Sequence, residues 1–340
     1  MTRIRIGAGV ALCVALVWGL ATPAEEKESG YKVIKKIELG GEGGWDYLTM
    51  DPATGRLFIA RANRVQVVDT VKGKLAGEIP NTKGVHGVAL APKHKKGFVS
   101  NGGDASVTVF DPESLKETAR IKVGQRPDGI IYDPATDQVL TFNAGTKDAT
   151  AIDAAAGTVA GTVKLGAKPE GAVADGKGLV FVNLEDKSEV AVIDAKKHEV
   201  KNTYALGEGK RAVGLAIDTA KRRLFVSCGN QKMVVLDADG GKVLATLPIG
   251  RGTDAVAFDQ ELGLAFSSNG DGTLTVVGEK DGKYQVIENV PTMAGARTCA
   301  LDPKTHNIYL ATAKQKAAPA GAKGRPGFEP NSFVVVVVGK

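Results

Sequence analysis

Short apolar runs recur along almost the whole chain. Within most runs apolar and polar residues alternate, and Gly, Pro, Asp or Asn closes each one. That period of two, with punctuation every few residues, predicts β-strands joined by tight turns. The stretch from Pro127 to Gly166 shows the pattern most clearly. Its runs are Asp128–Tyr132, Gln138–Asn143, Ala149–Ile152 and Val159–Leu165, closed in turn by Asp133 with Pro134, by Ala144–Asp148, by Asp153 and by Gly166. Together they predict one four-stranded antiparallel unit.

The unit repeats. A residue closing the first strand falls at Asp51, Ala91, Asp133, Asp175, Asp218, Asp259 and Asp302, at steps of 40 to 43 residues. A second marker closes the third strand at Asp69, Asp111, Asp153, Asp194 and Asp237, then at Gly278 and Gly339. Two markers in one register through seven units define a repeat architecture. A single four-stranded sheet cannot bury both of its faces, so the units must stack radially. The fold class is therefore all-β: a single seven-bladed β-propeller of four-stranded antiparallel blades.

The last unit lacks a fourth strand, whereas Tyr31–Gly40 precedes the first unit and ends like other fourth strands. Ile37–Gly40 matches Ile121–Gly124, Val163–Gly166 and Leu247–Gly250. The N-terminal strand is thus expected to complete blade seven and close the ring, which removes two sheet edges. The valine run Val334–Val338 is far too short to span a bilayer and reads as a strand buried on both faces. The final marker step is 61 residues, and its surplus, Lys314–Pro330, is rich in Ala, Gly, Pro and Lys, as in a mobile loop of blade seven.

Residues 1–24 read as a secretory signal: Arg3 and Arg5, the apolar run Ile6–Leu20, then the small residues around Thr22–Ala24. Residues 25–340 form the propeller. A periplasmic or secreted location follows, with no membrane span once the signal is removed. Net charge is +6, or +4 without Arg3 and Arg5, and the lysines are scattered, so nucleic-acid binding is not demanded. Outside the signal the cysteines are Cys228 and Cys299, in different blades, and they read as buried free thiols. A ring without free edges is expected to be a monomer.

The second strands carry a recurring tetrad, seen in Phe58–Arg61, Phe98–Asn101, Phe225–Cys228, Phe266–Asn269 and Tyr309–Thr312, with shorter forms at Thr141–Asn143 and Phe181–Asn183. This resembles the YVTN-repeat propellers and the YncE-like group of periplasmic proteins, over about residues 31–340. The resemblance implies a non-catalytic binding or scaffold protein that uses a propeller face or channel mouth for a protein partner or small molecule. Some members of that group are linked to single-stranded DNA, but such a groove needs stacking aromatics. Aromatics make up only 5% of this chain.

Candidate chemistry sits five residues before each first-strand marker: Asp46, His86, Asp128, Glu170, Val213, Asp254 and Arg297. If the blades are equivalent, these seven positions form one ring in the central channel. Arg61, Asn101, Asn143, Cys228, Asn269 and Thr312, at the tetrad ends, offer a second tier. Three readings stay open: polar residues capping blade turns, a small-ligand or ion site, and a catalytic site. Carboxylates beside Asn oxygens suit Ca2+ or Mg2+, with Asp128, Glu170, Asp254 and Asn143 as the ligands. By architectural analogy with propeller lactonases, His86 would be the general base and Arg297 would hold an anionic group. Trp45, beside Asp46, either covers the first blade or stacks on a ligand.

Several classes are excluded. There is no Cys-x-x-Cys-His segment, no phosphate-binding glycine loop, and no Ser/His/Asp arrangement. The histidines His86, His94, His198 and His306 are scattered over several blades, and only His86 falls in the ring, too few for a multi-histidine cluster.

Overall fold

The computed structural model describes residues 1–2, 29–316 and 327–340. The segment expected to be a secretory signal lies, from residue 3 on, outside the described residues, as does the middle of the 314–330 insertion. Seven four-stranded antiparallel sheets form the molecule, and the sole helical element among the described residues is a 3-10 turn, Pro92–His94. No helix among them is long and apolar enough to cross a membrane.

The innermost strands are Leu48–Asp51, Val85–Ala91, Pro127–Asp133, Pro169–Ala174, Ala212–Asp218, Thr253–Asp259 and Thr298–Asp302. Each touches the inner strand of the next blade, and the last touches the first, so they line a closed channel. Blade seven is built as expected: Lys32–Glu38 pairs antiparallel with Val334–Gly339, with Ile37 opposite Val335. All six residues of Val334–Gly339 are buried.

The repeat markers owe their spacing to turn chemistry. The Asp133 carboxylate accepts from the Ala135 amide and the Thr136 hydroxyl, and Asp302 does the same for Lys304 and Thr305. These are Asx turns, which reverse the chain without a long loop. Four residues past a marker the backbone turns left-handed, as at Gly55, Asp137 and Gly263.

The core is distributed over the seams between blades. Each of seven apolar clusters draws on two neighbouring blades, and the seven together cover all seven seams. Phe58, Phe98, Phe181, Phe225 and Phe266, from the tetrads, fill five of them. The ends of the 314–330 insertion are ordered, and its middle lies outside the described residues. Its base is a paired hairpin: Lys316 donates to Gly327, Glu329 donates to Lys314, and Gln315 bridges Phe328.

Candidate functional site at one channel mouth

The ring positions fall at the start of the inner strands. His86, Asp128, Glu170, Val213 and Asp254 are each the second residue of an inner strand, whereas Arg297 immediately precedes its strand and Asp46 lies two residues before its own. In five blades the pairing register slips at this point, for example between Pro127 and Ile130. In four of the five, blades two to five, a glycine sits at the slip and lets neighbouring strands approach closely. A Cβ on Gly129 would lie 2.9 Å from the Glu170 carbonyl oxygen of the next blade, and a Cβ on Gly171 would collide with the Val213 carbonyl. The tetrads brace the same seam. Ser100 Oγ donates to the Asp128 carbonyl at 2.5 Å, Ser268 Oγ to the Arg297 carbonyl at 2.5 Å, and Asn183 Nδ2 to the Val213 carbonyl at 2.9 Å. Second strands thus fix the backbone that carries the ring.

The side chains then meet across blades. His86 Nδ1 lies 2.6 Å from Asp46 Oδ2 and 3.5 Å from Asp128 Oδ1. Arg297 Nε donates to Asp254 at 2.6 Å, and its Nη2 to the Trp45 carbonyl at 3.0 Å. Lys168 Nζ stands 3.2 Å from Glu170 Oε2 as an ion pair, and that buried oxygen accepts no well-formed hydrogen bond. Lys168 also contacts Glu185, which pairs with Arg211 at 2.7 Å.

Burial and mutual repulsion set the protonation states. Burial raises Glu170 from the usual 4.5 to about 8, with the Asp128 charge adding to it and Lys168 opposing. Burial likewise raises Asp128 to about 6, against the His86 charge. Burial alone would lower His86, but its hydrogen bond to Asp46 and the charges of Asp128, Asp46 and Glu170 lift it to about 9. Burial thus favours the protonated form of Glu170, and the carboxyl groups around His86 favour its charged form. Tyr47 reports the same convergence. Burial, then the charges of Glu170, Asp128, Asp46 and Asp254, push its hydroxyl well above 10.

The second tier does not join this ring. Asn101, Asn143 and Asn269 are fully buried, and each amide is used within its own blade. Asn101 Nδ2 donates to Ser106 and Thr108, Asn143 Nδ2 to Asp148 and Thr150, and Asn269 Nδ2 to Thr273 and Thr275. Arg61 lies over Phe333 at 3.5 Å and donates to the Gly43 and Glu42 carbonyls. Thr312 donates to the Ala294 carbonyl. Cys228 and Cys299 are free and buried. Trp45 is 5% exposed beneath Phe328 and Phe333, with ring centroids 4.7 and 5.5 Å away, so it covers the first blade.

Sequence spacing missed Tyr47, Lys168 and Glu185. Tyr47 stands where blades two to five have glycine, and that break in the repeat was its one available signal. Lys168 and Glu185 follow no repeat position. The spacing also gave no sign of a cavity of about 980 Å³ elsewhere, floored by Met50, Leu90, Ile131 and Tyr132.

No family profile matches the chain, and no curated protein does. Solved structures match its fold. A chain of the Kuenenia stuttgartiensis hydrazine synthase superposes with a TM-score of 0.70 at 18% identity, covering 78% of this chain and 92% of that one. A chain of the mitotic checkpoint complex gives 0.75 at 13% identity, covering 98% and 99%. U3-55K gives 0.74 at 11% identity, covering 90% and 98%. At these identities the likeness is one of architecture.

Proposed function

We propose that this protein is an exported binding protein that holds a small polar ligand at the channel mouth ringed by Asp46, His86, Asp128, Glu170, Asp254 and Arg297. The propeller fold is compatible with a binding or scaffold role, and the chains it resembles include one from an assembly, the mitotic checkpoint complex. The observation that carries the reading is Glu170: a carboxyl with a buried oxygen that accepts no well-formed hydrogen bond, beside a second perturbed carboxyl. Such a group costs stability, and perturbed groups gathered in a cleft mark functional sites. Single-stranded DNA fits poorly, because Trp45 is buried and Tyr47 is left as the aromatic among the charges.

The test is thermal melting with a panel of small ligands, since a ligand at 100 times its Kd adds about 2.7 kcal/mol. A ligand that raises Tm in the wild type but not in Glu170→Gln or Asp254→Asn supports the reading. Equal shifts in all three proteins would place the ligand elsewhere. A hydrolytic reading has one specific support: burial raises both Glu170 and Asp128, and each carboxyl's charge acts on its neighbours, as in the carboxyl pairs of acid–base catalysis. Lactone or ester turnover that disappears in Glu170→Gln would favour it.

A further inference from the structure

We propose that Asp46, His86 and Asp128 bind one divalent first-row transition ion of the Mn2+, Fe2+, Co2+ or Zn2+ class, through one imidazole nitrogen and two carboxylate oxygens. This rests on the reading above, that the mouth binds a small ligand, and names its chemical class.

The three residues come from blades one, two and three, and their donor atoms all lie within 4.8 Å of one another. Metal bonds of about 2.1 Å place neighbouring donors about 3 to 3.5 Å apart. His86 Nδ1 and Asp128 Oδ1 already stand 3.5 Å apart, and the 2.6 Å between Nδ1 and Asp46 Oδ2 needs to widen by a few tenths. The imidazole is seated by backbone: a Cβ on Gly102 would lie 2.8 Å from both Cδ2 and Nε2 of His86. Gly102 is itself held, its amide donating to Gly84 at 2.9 Å. With one ring edge against Gly102, Nδ1 faces the two carboxylates.

All three side chains keep some exposure, His86 at 35% and Asp46 at 25%, so an ion can reach them from the channel and keep open positions for water or a ligand. The donor set decides the class of ion. Ca2+ and Mg2+ take oxygen donors, whereas one imidazole with two carboxylates suits borderline divalent ions. The Asn143 oxygen expected as a ligand is buried inside blade three. Glu170 and Asp254 lie near enough to act on the cluster's charge but do not belong to the three converging donors. They remain placed to hold what an ion would bind.

The experiment is calorimetric titration of the chelator-treated, desalted protein with Co2+ and with Mn2+, following Co2+ absorption in the visible range as a second readout. The proposal expects one ion per chain. Affinity should fall roughly 10-fold or more in His86→Gln and in Asp46→Asn, while Asp302→Asn, in a turn outside the ring, binds as the wild type does. Melting curves establish that each variant is folded, and if one is not, the remaining variant decides. Binding that is equal in all folded variants overturns the site. So does wild-type protein that binds neither ion. If no ion binds but an organic ligand still raises Tm in a Glu170-dependent way, only the metal fails; if neither acts, the reading of the mouth fails with it.

Discussion

His86, Asp128 and Glu170 hold protons more tightly in the fold than in an unfolded chain, because all three are raised. Their contribution to stability is therefore fully present below the ordinary carboxyl range and is lost as pH rises through about 6, 8 and 9. Melting curves from pH 5 to pH 9 are expected to fall, and Glu170→Gln, which needs no proton to be neutral, is expected to flatten the fall around pH 8. A wild-type Tm that stays level across that range would contradict these protonation states. At this scale the ring was legible because each member keeps a fixed distance from a turn marker. The asparagines kept a spacing equally regular, yet they face third-strand hydroxyls such as Thr108 and Thr150. Spacing reports periodic placement and not which side of a strand a residue faces. Tyr47 reaches the site across a seam, its amide donating to the His86 carbonyl, and Lys168 reaches Glu170 from the loop just before the same strand; neither is recorded by the repeat pattern.

A blade is held less by its own sheet than by the seam beside it. Phe266 fills the seam between blades six and seven, with Tyr31 edge-on at 5.0 Å. Phe266→Ala is expected to cost about 3 to 5 kcal/mol, read as a drop in denaturant midpoint with unchanged m-value. Gly171→Ala is expected to destabilise as well, since its methyl would meet the Val213 carbonyl. A neutral outcome would mean that the inner strands can spread apart. Element boundaries were largely legible, because β-branched runs and Asx-turn aspartates are local signals. The strand expected at Asp128–Tyr132 extends one residue further each way, to Pro127–Asp133. The hairpin at the base of the 314–330 insertion was not legible, since its composition speaks for flexibility while Phe328 is fastened onto Trp45.

At the scale of the molecule, seven seams join into one ring, and the seal in blade seven is a strand from the far end of the chain. Removing residues 31–40 is expected to lower Tm and to broaden the transition, since the third strand of blade seven would then present an unpaired edge. An unchanged, equally sharp melt would show that the ring holds without its seal. Closure was legible because the last unit lacked a strand that the first segment could supply.

That seal also sets an order of events in time. Lys32 pairs with Gly339, a contact that spans nearly the whole chain. Such distant pairings are slow to form, because the loop between them must close before the contact rewards it. The strand at Lys32–Glu38 precedes blade one, yet its partner Val334–Gly339 follows six complete blades. Six blades can stack while the seventh waits, and the ring stays open until Val334–Gly339 has been made. The ring of Asp46, His86, Asp128 and Glu170 spans blades one to four, but Asp254 and Arg297 belong to blades six and seven. The binding mouth is therefore complete only once blades six and seven have joined blades one to four.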